Sequence, residues 1–121
     1  MSATTGQLDV EALKRAIEQR DAEAWVALYA PHAEVITVDQ TNPPSSPRRL
    51  SGIDEIRTMI EDVCSRDMTH EVTRAVSGPQ GVAYTEACRY ADGTRVMCAA
   101  MLDVEGGRIV RQQGVQAWDE A

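Results

Sequence analysis

The chain has 121 residues, enough for one hydrophobic core and too few for two. Its formal charge of −7 leaves no clustered positive charge to track phosphates, which excludes nucleic acid and anionic membrane surfaces as expected partners. With no Phe, two Trp and three Tyr, the core must be built from Val, Ile, Leu, Ala and Met, so each aromatic carries unusual weight.

Residues 1–7 read as a tail, leaving 8–121 as a single domain. A helix fits residues 10–20. Asp9 caps it, Leu8 and Leu13 form a staple across the cap, and Val10, Leu13, Ala16 and Ile17 make one apolar stripe. Asp21 caps a second helix over 22–30, which stops before Pro31. Trp25 and Tyr29 stand one turn apart on it; both suit the core, and the Tyr29 hydroxyl can reach a cavity. The β-branched run 34–39 reads as a strand, and the proline-rich stretch 42–49 as a loop. Ser51 and Asp54 form a capping-box pattern for a third helix, whose inner face is Ile53, Ile56, Met59, Ile60 and Val63.

From Met68 the texture changes to strands, over 71–76, 82–90, 94–104 and 108–118. Three turn signals separate them: Ser77 to Gly81, Asp92-Gly93, and Glu105 to Gly107. Helices followed by an antiparallel meander make an α+β fold, with three N-terminal helices packed on a curved antiparallel sheet around a pocket. The start of the chain lacks a basic-then-apolar leader, and no apolar run approaches membrane length, so a cytoplasmic protein is expected. Eleven Arg against one Lys suggests a GC-rich bacterial genome. Cys64, Cys88 and Cys98 lack metal-ligand spacing and read as buried thiols; with no phosphate loop or nucleotide fingerprint either, no metal and no cofactor are expected.

Three stretches carry a family resemblance: RDAEAWVALYAPHAEV over 20–35, LSGIDEI over 50–56, and DVEGGRIV over 103–110. With the element order, they resemble the nuclear transport factor 2-like superfamily, in particular its SnoaL-like branch. That resemblance implies a cone-shaped sheet around an interior cavity and frequent dimerisation through the outer sheet face. The family spans steroid isomerases, epoxide hydrolases, dehydratases, polyketide cyclases, transport adaptors and plain binding proteins, so function has to be argued from the site.

Residue by residue, the familiar catalytic sets are incomplete. The steroid isomerase donors match Leu13 and Ala100, and its catalytic aspartate matches Thr37, with Asp39 two residues on. The acid on the last strand of the hydrolases and cyclases matches Gly114, and the dehydratase aspartate falls near Arg15. His70 matches the dehydratase histidine, and with Asp39 it forms the one acid/base pair left.

A two-residue Asp92-Gly93 turn would pair Arg89 with Val96 and Ala87 with Cys98. It would put Thr85, Ala87, Arg89, Val96, Cys98, Ala100 and Leu102 on the cavity face. Arg89 there is either a structural ion pair, a side chain snorkelling to the mouth, or an anchor for an anionic group. On the last strand Gln112, Gly114, Gln116 and Trp118 share one face, which either lines the cavity or looks outward. Met97, Ala99 and Met101 form an apolar outer face suited to a homodimer.

The leading expectation is a binding protein for a small hydrophobic or amphipathic ligand, with Arg89, Tyr29, Trp25, Gln112, Gln116 and Trp118 as candidate contacts. The alternative is a cofactor-independent isomerase, dehydratase or polyketide cyclase using His70 and Asp39. A third is a dimeric interaction module whose cavity its own side chains fill.

Overall fold

The computed structural model describes residues 7–119, so nearly all of the expected tail lies outside the described residues. The elements are α1 (Val10–Glu18), α2 (Ala22–Val26), β1 (Tyr29–Val38), β2 (Arg48–Ser51), α3 (Ile53–Ser65), β3 (Met68–Gly78), β4 (Gly81–Tyr90), β5 (Arg95–Glu105) and β6 (Arg108–Trp118). The fold is α+β: three helices accompany one open, six-stranded sheet of order β2-β1-β6-β5-β4-β3. No described helix is long and apolar enough to cross a membrane.

Asp9 and Asp21 cap the first two helices as expected, accepting from the Ala12 and Ala24 amides. The second helix is shorter than its pattern suggests. Pro31 biases the preceding residue towards extended backbone, and the chain turns into β1 at Tyr29, where the Leu28 carbonyl accepts from the Ile109 amide at 2.8 Å. Pro31 itself sits where the β1–β6 register shifts, a place that needs no ladder donor. The stretch 42–49 is not loop throughout, because Arg48–Ser51 forms an edge strand on β1. Ser51 therefore ends a strand and does not cap α3. Gly52 is the N-cap, with no side-chain cap bond, and the Glu55 carboxylate accepts from the Ser51 amide.

The sheet is mixed: β1 runs parallel to β6, and every other pairing is antiparallel. An extra residue at Thr73 shifts the β3–β4 register. Up to Val72 alternate residues of β3 are buried, and beyond it the strand is exposed. Bulges of this kind bend a strand and increase its twist. The helices cover one face, where Ile17, Val35, Ile56, Ile60 and Ile109 are fully buried. The opposite face leaves Met97 58% and Met101 66% exposed, with Val76 and Val115 also open.

The β4–β5 hairpin departs from the two-residue turn. Tyr90 pairs with Thr94 around a three-residue loop, and Gly93 donates to the Tyr90 carbonyl at φ +94°. A type I′ turn would need positive φ at Asp92 as well, and Asp92 does not adopt it; its carboxylate accepts from the Thr94 amide instead. The register is therefore one residue off: Cys88 faces Val96, Glu86 faces Cys98, and Arg89 faces Arg95. Val96, Cys98, Ala100 and Leu102 keep the inner face assigned to them, but their partners there are Cys88, Glu86, Tyr84 and Val82.

The β3–β4 hairpin holds two glycines in different circumstances. A Cβ on Gly81 would lie 2.0 Å from the Leu102 carbonyl oxygen, whereas one on Gly78 would meet nothing within 4 Å. Gly81→Ala should destabilise the fold by about 1–3 kcal/mol, and Gly78→Ala should stay within about 0.5 kcal/mol of the parent. Chemical denaturation of the two variants side by side checks this; equal losses would contradict the close approach.

Candidate functional site

A cavity of about 120 Å³ lies between the inner face of the sheet and the helices. Met59 and Val63 of α3 and Trp25 of α2 form one wall, and residues of β3 to β6 form the other. At its margin Tyr90 stacks on Trp118, ring centroids 5.7 Å apart. Arg66, just after α3, donates to the Tyr90 hydroxyl at 2.9 Å and pairs with Asp62 at 2.5 Å.

The polar centre of the cavity comes from strand alternation and register. His70 on β3 is the cross-strand partner of Cys88 on β4, and Glu86 is two residues from Cys88 on the same face. His70 Nδ1 lies 2.6 Å from Glu86 Oε2, with side-chain exposures of 2% and 8%. Cys88 Sγ donates to the same carboxylate oxygen at 3.1 Å and lies 3.3 Å from His70 Nδ1. The neighbouring Cys98, burial and the Glu86 carboxylate all push the Cys88 thiol up, so it is protonated. His70 Nε2 and Trp25 Nε1 are buried with no hydrogen-bond partner among the described residues. Both residues line the cavity.

Chemically, the carboxylate orients the ring: with Nδ1–H given to Glu86, an Nε2 that carries no proton is an acceptor. Removing either member leaves a buried polar group without its hydrogen bond, at about 1–3 kcal/mol. Burial also pushes the Tyr29 and Tyr84 phenols up, which keeps both as neutral hydroxyls.

The structure redistributes the residues singled out from sequence. His70, Trp25, Gln112, Gln116 and Trp118 line the cavity. The face of the last strand left open above is thus the inner one, and Gln116 accepts from the Trp118 indole N–H at 3.1 Å. Tyr29 is core: its hydroxyl donates to Gln112 Oε1, and it does not reach the cavity lining. Arg89 is corrected. It is exposed on the outer face opposite Arg95, because the three-residue loop moves it across the sheet, and it cannot anchor a ligand inside.

Asp39 is also corrected as His70's partner. It lies outside the cavity lining, and its Oδ1 accepts from the amides and side chains of Thr41 and Asn42, which closes the turn after β1. Burial works against its charge, but the hydrogen bonds from Asn42 and Thr41 outweigh it and hold the carboxyl below its ordinary 3.8. Glu86 stands beside His70 instead. Sequence reasoning missed Glu86, Cys88, Tyr84 and Tyr90 through the one-residue slip. A usable signal was present: two of the five aromatics alternate with them on one parity of the strand.

Residues 10–112 match the SnoaL-like domain. The chain belongs to the SnoaL-like family. Among solved structures it is similar to an NTF2-like protein of unknown function from Mesorhizobium loti, with a TM-score of 0.77 at 18% identity, covering 89% of each chain. A cystatin-like-fold protein from Silicibacter pomeroyi gives 0.73 at 14%, covering 96% of this chain and 79% of that one. An LEH-like epoxide hydrolase from M. tuberculosis gives 0.66 at 16%, covering 89% and 79%. At such identities the likeness is one of fold. No curated protein matches the chain.

The corrected role of Asp39 can be checked by pH. Its folded pKa lies below its unfolded one, so its contribution is complete above the ordinary carboxylate range and disappears as pH falls through the folded value. Asp39→Ala should lower the melting temperature at neutral pH, and the gap to the parent should close as pH falls below the ordinary carboxylate range. A gap that stays constant on acidification would contradict the turn-closing role.

Proposed function

We propose that the cavity binds a small amphipathic molecule of about one ring's size. The observation that carries this reading is His70 Nε2, a buried polar atom without a partner among the described residues, on a side chain lining a mainly apolar space. Leaving such an atom unpaired costs about 1–3 kcal/mol, and a ligand hydroxyl donated to it would remove that cost. The size follows from the volume: apolar cavities of about 150 Å³ accept one benzene ring, and this one is about 120 Å³.

A second reading, catalysis, is favoured by one specific observation, the 2.6 Å contact of Glu86 with His70 Nδ1. A carboxylate-oriented imidazole is a general acid–base, here in the manner of a cofactor-independent isomerase, dehydratase or cyclase. Hydrolysis through an acid on the last strand is not supported, since Gly114 occupies that place.

We also assign the exposed Val76, Met97, Met101 and Val115 face to a second copy of the chain, because four large apolar side chains on one open sheet face are a liability in a monomer.

Titration with 4-hydroxyacetophenone, followed by tryptophan fluorescence, should saturate with a dissociation constant of about 0.1–1 mM. Gly114→Leu should abolish saturation without unfolding the protein, since a Cβ there meets only the Ala99 carbonyl oxygen, at 3.6 Å. Binding that this variant leaves unchanged would put the site elsewhere. In D2O, bound cyclohexanone should exchange its α-hydrogens about 10²-fold faster with the parent than with Glu86→Gln; equal rates would leave binding alone. Sedimentation should find dimers at micromolar concentration and monomers for Met101→Asp. A monomeric parent would remove the dimer assignment.

A further inference from the structure

Spacing along the chain gives no metal-ligand pattern, yet folding brings three unlike donors together. His70 Nδ1, Glu86 Oε2 and Cys88 Sγ form a triangle with edges of 2.6, 3.1 and 3.3 Å, and all three residues are buried. They come from neighbouring positions on two paired strands, so the backbone already holds them in place. We propose that this trio is a binding site for a thiophilic divalent cation, with Zn2+ as the type ion.

Imidazole, carboxylate and thiolate are the three ligand types that zinc takes, and three protein ligands with a fourth open position is the arrangement of its reactive sites. Bond lengths of about 2.0–2.3 Å would set tetrahedral edges of roughly 3.3–3.6 Å. The donors must therefore spread by less than about 1 Å, most of it between His70 and Glu86. Protons balance simply: the imidazole proton moves from Nδ1 to Nε2, and the Cys88 thiol gives its proton to solvent. A dication then stands against one carboxylate and one thiolate, which leaves the buried trio with no net charge. His70, Glu86 and Cys88 all line the cavity, so the fourth position faces space in which water or a ligand oxygen can sit. Arginine and lysine are absent from the trio, and Cys98 stands beside Cys88.

This assignment goes beyond the ligand-binding reading and stands without it, because its test uses the ion alone. Co2+ titrated into the reduced, ligand-free protein should bind with one-to-one stoichiometry, giving tetrahedral visible bands and a near-ultraviolet thiolate-to-cobalt band. Zn2+ should displace it. Cys88→Ser should lose the near-ultraviolet band, while Cys64→Ser on α3 keeps it. His70→Gln and Glu86→Gln should each weaken binding by at least about tenfold. A parent protein that lacks the thiolate band overturns the proposal whether or not the variants fold. A band that survives in Cys88→Ser, or affinity unchanged in both His70→Gln and Glu86→Gln, overturns it equally.

Discussion

The register of the β4–β5 hairpin governs what this protein can do. In a strand every side chain's face depends on its neighbour's alignment, so the length of one turn decides which of two residue sets meets the helices. Here the loop takes three residues, and only Gly93 adopts positive φ. The inner row of β4 is consequently Tyr84, Glu86, Cys88 and Tyr90. Had the turn taken two residues, Arg89 would be indoors and the carboxylate that holds His70 would be in water. The cavity's chemistry hangs on that one alignment.

Much of the architecture was legible because it rests on local signals. Asp9 and Asp21 cap their helices, the apolar stripe of α3 faces inward at Ile56 and Ile60, and the four meander strands fall close to their expected bounds. The resemblance carried by residues 20–35 and 50–56 led to the right family. What local signals could not supply was competition between partners. Tyr29 and Ala30 fall within the expected second helix, yet β6 draws the chain into a strand there. Arg48 and Arg49 follow a proline-rich stretch, yet the free edge of β1 recruits them. In both cases tertiary pairing overrides local preference.

The site follows the same division. His70 was recognisable as a candidate because it matches the histidine of the dehydratases that the sequence resembles. Its partner was not, because Glu86 lies 16 residues away and reaches it only through strand pairing. Asp39 looked suitable by composition, but a carboxylate followed closely by Thr41 and Asn42 is used up by its own turn. The family's familiar acids are absent at Gly114 and Ala100, and smaller residues there leave open the space that the cavity occupies. This protein has thus placed its buried polar groups on β3 and β4, not on the last strand.

The parallel pairing of β1 with β6 bears on how the chain must acquire its shape. Tyr29 donates its hydroxyl to Gln112 across 83 residues of sequence, and the centre of the sheet cannot close until β6 is present. During synthesis α1, α2 and β1 therefore emerge with their apolar faces unmatched, and they wait for nearly the whole polypeptide to leave the ribosome. Long-range closure of this kind makes folding slow and exposes strand edges meanwhile. The N-terminal half should thus be the part that chaperones meet first, and a chain truncated before residue 108 would lack the strand around which its sheet is ordered.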